Sequence, residues 1–374
     1  MKNIVWLAAA IGGAVISAGC GNVGTGKNKL PTEKGIASHY PGDEGIENHP
    51  DVVFADNFEK GDLSDVKTRW GHMSNKEGKV MSFSNDIPEG SAGIRSLKMT
   101  ATRGENEGGE LYKTFNHGWD KIYLRFYTRF PEDHGHQGHF VALNGFKNPL
   151  PYPTGGAGQK AENNFSVTIE PKTAEFNKYP ATMHAPPGVW QFYAYWPEMR
   201  SWQTPEGKPD GRPNPYYGNS FQPAEAAIAP RGKWISVEIM VKLNSSPEEK
   251  DGEMALWIDG RRVVHFAPGI PKGYWMSSDR YPNDPEIPNA RFRNDSEHPD
   301  ALPFEGFRWR NDMDIKVNVL RLQHYISDRT FASSQEYSDK NPDFKINTKQ
   351  NIVWFDHVVM AKEYIGPIRK KEKD

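Results

Sequence analysis

Short runs in which apolar and polar side chains alternate recur from Val52 to Ala361, and no other feature of the chain constrains its fold as strongly. A period of two sends successive side chains to opposite faces of an extended backbone, so each run reads as a strand with one buried face. Lys121 to Phe130 puts Leu124, Phe126, Thr128 and Phe130 on one side and Tyr123, Arg125, Tyr127 and Arg129 on the other. Trp190 to Trp196, Trp234 to Leu243, Ile315 to Ile326 and Asn351 to Ala361 behave alike, as do shorter runs at Ser96–Ala101, His139–Leu143 and Phe165–Ile169. Met254–Ile258 and Arg261–Phe266 flank Asp259-Gly260, a two-residue hairpin signal. The chain carries 35 glycines and 29 prolines, which supplies turns for many strands and argues against long helices or a coiled coil. An all-β, antiparallel β-sandwich is the expected fold class.

The strands are separated by long Pro, Gly and Asn-rich loops at 144–163, 200–222 and 268–312, and loops of that length usually carry binding function. Helix signals are nearly absent, with one turn expected at Pro223–Ala229. Lys and Arg total 46 against 48 Asp and Glu, a net charge of -2. That balance argues against a nucleic-acid partner, whose phosphates call for a basic excess.

The one cysteine, Cys20, permits no internal disulfide. Met1-Lys2 starts the chain with positive charge, an apolar run follows from Ile4 to Ile16, and Ser17-Ala18-Gly19 precede Cys20. The apolar run is too short to span a membrane and reads as a signal-peptide core. Ile16-Ser17-Ala18-Gly19-Cys20 resembles a bacterial lipobox, which implies a signal peptide over 1–19 and lipid acylation of Cys20. Gly21 in place of Asp favours an outer-membrane address within the cell envelope. Residues 20–50 lack an apolar period and read as a flexible tether, 51–367 as the β domain, and 368–374 as a charged tail.

Several strands oppose a greasy face with one rich in Arg, Tyr, Gln, Glu and Lys. Gln191, Tyr193 and Tyr195 oppose Phe192, Ala194 and Trp196; Glu238 and Lys242 oppose Val237, Ile239 and Val241; Arg321, Gln323 and Tyr325 oppose Leu320 and Leu322. Planar rings beside fixed polar groups suit carbohydrate, whose apolar ring faces stack while its hydroxyls take directional hydrogen bonds. The alternative is a plain sheet surface covered by loops.

Phe54-Ala55-Asp56-Asn57-Phe58-Glu59-Lys60-Gly61-Asp62-Leu63, Ser96-Leu97-Lys98-Met99 and Trp354-Phe355-Asp356-His357-Val358-Val359 resemble segments of the concanavalin A-like lectin and glucanase jelly rolls. Ile122 to Asp133 is similar to the central strand of jelly-roll polysaccharide lyases of the glucuronan and alginate kinds. The resemblance covers roughly 52–366. It implies a jelly roll, a structural calcium ion held by Glu59, Asp356 and a carbonyl at Ser96, and an acidic polysaccharide as partner. Two acids with carbonyls and water suffice for an ion that takes six to eight oxygens.

The Glu-x-Asp-x-x-Glu strand of retaining glucanases on this fold is missing, as is a phosphate-binding Gly-rich loop ahead of a helix; Gly155-Gly156-Ala157-Gly158 reads as a flexible loop. A lyase must neutralise a uronate carboxylate, remove the C5 proton and assist the leaving oxygen. The expected residues are His139 or Tyr325 as base and Arg125 and Arg321 as carboxylate clamps. Tyr127, Tyr193, Tyr195, Glu238, Lys242 and Gln323 would bind substrate, all on strands expected to share one groove. The cluster His134, His136 and His139 reads as a metal site, a catalytic or sugar-contacting histidine, or a polar loop. Three classes stand open: a surface-anchored polysaccharide lyase, a glycan-binding lipoprotein using the same groove without turnover, and a structural or adhesion protein.

Overall fold

The alternating runs pair into two large antiparallel sheets in the computed structural model, which describes residues 34–154, 159–175, 182–199, 218–276, 291–293 and 302–370. The signal peptide, Cys20, the first part of the expected tether, Gly155 to Gly158, most of the 200–222 loop and the last residues of the tail lie outside them.

The first sheet contains β1 (Val52–Asp56), β3 (Met81–Ser84), β4 (Ser96–Thr102), β6 (Lys121–Arg129), β13 (Trp234–Lys242), β14 (Glu253–Ile258), β15 (Arg261–Phe266) and β20 (Gln350–Ala361). Its order is β15-β14-β13-β6-β20-β4-β3, with β1 on β20. The second contains β2 (His72–Ser74), β5 (Gly108–Trp119), β7 (Val141–Phe146), β8 (Asn164–Lys172), β11 (Val189–Tyr195), β12 (Asn219–Phe221) and β19 (Lys316–Tyr325), in the order β12-β11-β8-β7-β19-β5-β2. Sequence neighbours β5 and β6 therefore fall in different sheets, the hallmark of a sandwich closed by crossovers. Two small additions, β9 (Ala174–Glu175) with β10 (Thr182–Met183), and β16 (Lys272–Met276) with β17 (Arg291–Arg293) and β18 (Leu302–Glu305), lie in the loops.

Leu124, Phe126 and Ile239 from the first sheet and Leu143, Val167, Phe192 and Leu322 from the second meet in the main core. The fold is thus an all-β antiparallel sandwich, as the alternation predicts, and a jelly roll, as the resemblance implies. The Asp259-Gly260 hairpin forms with both residues at positive φ, 49° and 76°, which a two-residue turn matched to strand twist demands.

Two helices escape the sequence reading. Helix α1 (Leu63–Trp70) starts from a reciprocal capping box in which Asp62 accepts from the Ser64 and Asp65 amides and Asp65 accepts from the Asp62 amide. Helix α2 (Asp328–Lys340) is capped by Ser327 and buries only Phe331 and Ser334, so it has no apolar stripe to announce it. Pro223–Ala229 forms no helical turn, because its backbone is drawn into cross-chain pairing through Trp190 N–H to Ala227 O and Ala229 N–H to Gly188 O.

Residues 34–50 are not a tether in the fold. They make three 3₁₀ turns whose Ile36, Ala37 and Ile46 pack on Tyr123, Met240, Trp257 and Val359, the outward side of the first sheet. Ile365 from the C-terminal segment joins the same small core, and the Ala37 amide donates to the Ile365 carbonyl at 2.8 Å. The first sheet is therefore covered on both sides over its middle.

Candidate active face

The expected groove residues divide between the two sheets. Arg125 and Tyr127 lie on β6 and Glu238 and Lys242 on β13, in the first sheet; Arg321, Gln323 and Tyr325 on β19 and Tyr193 and Tyr195 on β11 lie in the second. The two polar faces point away from each other across the core. One common groove is excluded, and the reason is the crossover, which alternation alone does not reveal.

On the first sheet the polar groups serve the cover. Arg125 is fully buried, paired with Asp43 and 3.4 Å from the Gly366 carbonyl. Glu238 accepts the Ile365 and Gly366 amides at 2.8 Å each, and the Tyr127 hydroxyl accepts the Ile368 amide at 2.8 Å. Lys242 pairs with Glu253 at 2.7 Å, and Glu253 also meets His265 at 2.6 Å. These contacts hold the terminal segments and the sheet edge.

The outward face of the second sheet is built differently. A row of Cα partners crosses it: Tyr112, Arg321, Ala142, Thr168, Tyr193, Ser220. Three strand spacings separate Arg321 from Tyr193, about 14 Å. Ala142 and Thr168 between them are small, so the row forms a trough with large polar walls. Arg321 donates through Nε and Nη2 to Glu110, at 3.1 and 2.6 Å. Burial pushes the Tyr112 phenol up to about 12, Arg321 opposing and Glu110 reinforcing the shift.

His139 precedes β7 and stands in this trough. Its Nδ1 is 2.9 Å from Oε2 of Glu170 on β8, and its ring stacks between Tyr193 and Tyr325 at 5.2 and 5.9 Å. The side chain of His139 is 43% exposed, whereas that of Glu170 is 1% exposed. Gln191, the Cα partner of Glu170, donates Nε2 to its other oxygen at 3.4 Å, and Gln222 Nε2 donates to Gln191 Oε1 at 3.2 Å. Behind His139, the Gln137 amide donates to its carbonyl at 3.4 Å. Burial raises the Tyr325 phenol, with Glu107 adding to the shift, and burial raises Tyr193 far more. Both hydroxyls are protonated at neutral pH. The Tyr193 oxygen accepts the Gly218 amide at 2.9 Å and lies 3.4 Å from the Tyr195 hydroxyl.

Glu170 and Gln191 complete this arrangement; the sequence places Gln191 on the polar face of its strand but singles out Glu170 for nothing. Alternation extended by one residue past Ile169 puts Glu170 on the face of Ser166 and Thr168, which is the signal that finds it. The three histidines of the 134–139 loop diverge. His134 is buried against the Ile352 carbonyl and Gln137, and His136 meets Tyr337 edge-on. Among the described residues no group of three or more His, Cys, Asp or Glu side chains is arranged to hold a metal.

The three calcium candidates lie on neighbouring segments. Leu97 is the Cα partner of Phe355, so Ser96 and Asp356 sit side by side on β4 and β20. Glu59 Oε1 accepts the Ile94 and Arg95 amides just ahead of β4, at 2.8 Å each. Asp356 Oδ1 accepts the His357 amide at 2.7 Å, but its buried Oδ2 has no hydrogen-bond partner. Burial holds the Asp356 carboxyl well above the usual range, and Glu59 and Asp43 push it in the same direction.

No protein-family model and no curated protein matches the chain. Among solved structures it is similar to the marine alginate lyase from Aplysia kurodai (13% identity, 83% of this chain and 98% of that one, TM-score 0.49). It is similar also to the alginate lyase from a Chlorella virus (13% identity, 83% and 99%, TM-score 0.46). A third likeness is to the endo-β-1,4-glucuronan lyase from the fungus Trichoderma reesei (15% identity, 83% and 95%, TM-score 0.41). These are likenesses of chain path, and the site geometry stands on this chain's own side chains.

Proposed function

We propose that the trough on the second sheet binds an acidic polysaccharide and that the chain is a polysaccharide lyase acting on uronate residues by β-elimination. The observation that carries this reading is His139, oriented by a buried carboxylate and left partly open between two tyrosine rings. A carboxylate only accepts, so its 2.9 Å contact puts the proton on Nδ1 and the lone pair on Nε2. Nε2 takes the C5 proton, the electron pair moves into the conjugated carboxylate, and the C4–O bond breaks as C4=C5 forms. Tyr325, kept protonated, donates its proton to the leaving oxygen. Arg321 commits two of its five donors to Glu110 and offers the others, with Gln323, to the carboxylate on which charge develops. Tyr193 and Tyr195 supply the stacking wall.

The Glu110 contact also favours the second reading, a glycan-binding protein without turnover, because it neutralises much of the charge a clamp would use. Incubation with a panel of uronic-acid polymers, followed by ultraviolet absorbance of the unsaturated product, separates the two. Absorbance that rises with the native chain and not with His139→Ala supports the lyase. No rise with any polymer, with binding retained, removes it.

Two further proposals accompany this one. Calcium fits the Glu59, Ser96 and Asp356 corner, where a buried carboxylate oxygen has no hydrogen bond and only His357 Nε2 at 3.9 Å beside it; carbonyl and water oxygens would complete the ion's shell. The ion would tie the first loop to the last strand and take no part in the chemistry. Lipid attachment at Cys20 would hold the chain in the cell envelope, at the outer membrane. Cys20→Ser should then move it from the membrane fraction to the soluble one.

A further inference from the structure

The outward face of the first sheet, beyond the part covered by residues 34–50, carries a second aromatic row. Its Cα partners run Ser82, Lys98, Trp354, Arg129, Trp234 across β3, β4, β20, β6 and β13. Both indoles are half-buried and both are fixed by their nitrogens. Trp354 Nε1 donates to Ser84 Oγ at 3.1 Å, and Trp234 Nε1 donates to Asp86 Oδ1 at 2.7 Å. With the N–H groups committed inside the protein, the ring surfaces are what remains for contact.

Two cations lie against the Trp354 ring. The Arg129 guanidinium sits 5.0 Å over the Trp354 ring and pairs with the other oxygen of Asp86; Lys98 Nζ lies 5.9 Å from the same ring. Among the described residues Lys98 has no carboxylate partner, so the row keeps positive charge after Asp86 is counted. The two tryptophans flank β6 and stand two strand spacings apart, about 10 Å. An extended glycan presents equivalent ring faces once per disaccharide, a repeat such a pair can meet. Neighbouring Ser82 and Thr100 offer hydroxyls rather than an apolar rim.

We propose that Trp234, Arg129, Trp354 and Lys98 form a second glycan-binding site, on the sheet opposite the His139 trough, which takes a carboxylated polysaccharide chain. The indoles stack on sugar rings while Lys98 and Arg129 meet the carboxylates. A polymer bound here and in the trough engages the protein twice, which raises its residence without any new contact at either site.

Affinity electrophoresis of the full chain through gels containing alginate, polygalacturonate, polyglucuronate or a neutral β-glucan tests this. Native protein should be retarded by at least one polyuronate and not by the neutral glucan. Trp354→Ala and Trp234→Ala should each weaken that retardation roughly three- to tenfold. Lys98→Gln, a change on the outward face that leaves the core untouched, should weaken it as well, and Lys98→Arg should restore it. His139→Ala should lose any turnover yet keep the outer-face contribution, so failure of the trough reading leaves this result standing. Retardation by none of the polyuronates, equal retardation by the neutral glucan, or unchanged retardation in Lys98→Gln and both tryptophan variants overturns the proposal.

Discussion

Nδ1 of His139 donates to Oε2 of Glu170 across 2.9 Å, from an open trough to a carboxylate sealed in the sheet. The pair is distant in sequence and adjacent in space because β7 and β8 are neighbours, and it fixes both the tautomer and the plane of the imidazole. The prediction is twofold. His139→Ala should lower the turnover rate by about 10²–10⁴-fold, the range general bases contribute. Glu170→Gln keeps the shape but can present an amide N–H to Nδ1, which favours the opposite tautomer. It should lose a large part of that factor with KM little changed. Rates of unsaturated-product formation on the preferred polymer check both.

The two arginines first expected to act together should behave oppositely. Arg321→Ala removes a partly exposed side chain and should reduce polyuronate binding with a smaller loss of stability, since its partner Glu110 keeps some contact with solvent whereas Asp43 keeps almost none. Arg125→Ala takes the guanidinium from the buried Asp43, leaving only His357 Nδ1 at 3.0 Å beside it, and should cost roughly 3–5 kcal/mol. Urea denaturation of the two variants, alongside binding, distinguishes them. Equal stability would mean that the terminal cover contributes nothing.

The faces of β6 and β19 were legible because alternation is a local property: Leu124, Phe126, Leu320 and Leu322 are buried where the period puts them. Two things were not. The pattern along one strand does not say which sheet it joins, so Arg125 and Arg321 looked like companions. Nor does it show that a non-periodic segment such as 34–50 will lie over a polar face and bury it. Tyr127 and Glu238 are on the predicted side, yet they bind backbone amides of 365–368 in place of sugar. His139, Tyr193 and Tyr325, singled out for their residue types, do stand together in space. Glu170 was missed because one acid at a strand end looks like any surface charge.

Stability should fall in acid for a reason internal to the loop that carries His139. His134 and His324 are linked through Gln137, and their other nitrogens meet the Ile352 and Asn351 carbonyls at 3.0 Å. Burial lowers His134 to about 3 and His324 to about 4, from an ordinary 6.5; their mutual repulsion and Arg231 add to the shift at His134. The unfolded chain takes up protons below pH 6.5 that the folded chain refuses until those lower values. The contribution of these two histidines to stability is therefore fully present above pH 6.5 and lost progressively between 6.5 and about 3, by several kcal/mol in total. Melting temperatures across that range should show the fall. His324→Gln should give a lower but flatter profile, and a native profile already flat through this window would contradict the assignment.

Chelation addresses the corner where β4 meets β20. Asp356 Oδ2 is buried without a hydrogen-bond partner beside Ser96, and Glu59 gathers the amides ahead of that strand. A cation there binds the folded state and not the unfolded one, so it stabilises by linkage, about 2.7 kcal/mol at a free concentration 100 times Kd. For a domain of this size that corresponds to a fall in Tm of several degrees when a chelator is added. Calcium should restore the value and magnesium should restore it poorly, because magnesium demands octahedral geometry and gives up water reluctantly. Asp356→Asn removes the charge while preserving size, and should abolish the response to both chelator and calcium. Its own Tm should sit near that of the chelated native protein. A native Tm indifferent to chelator, in protein shown by metal analysis to carry no calcium beforehand and unmoved by added calcium, would leave Glu59 and Asp356 as purely structural acids.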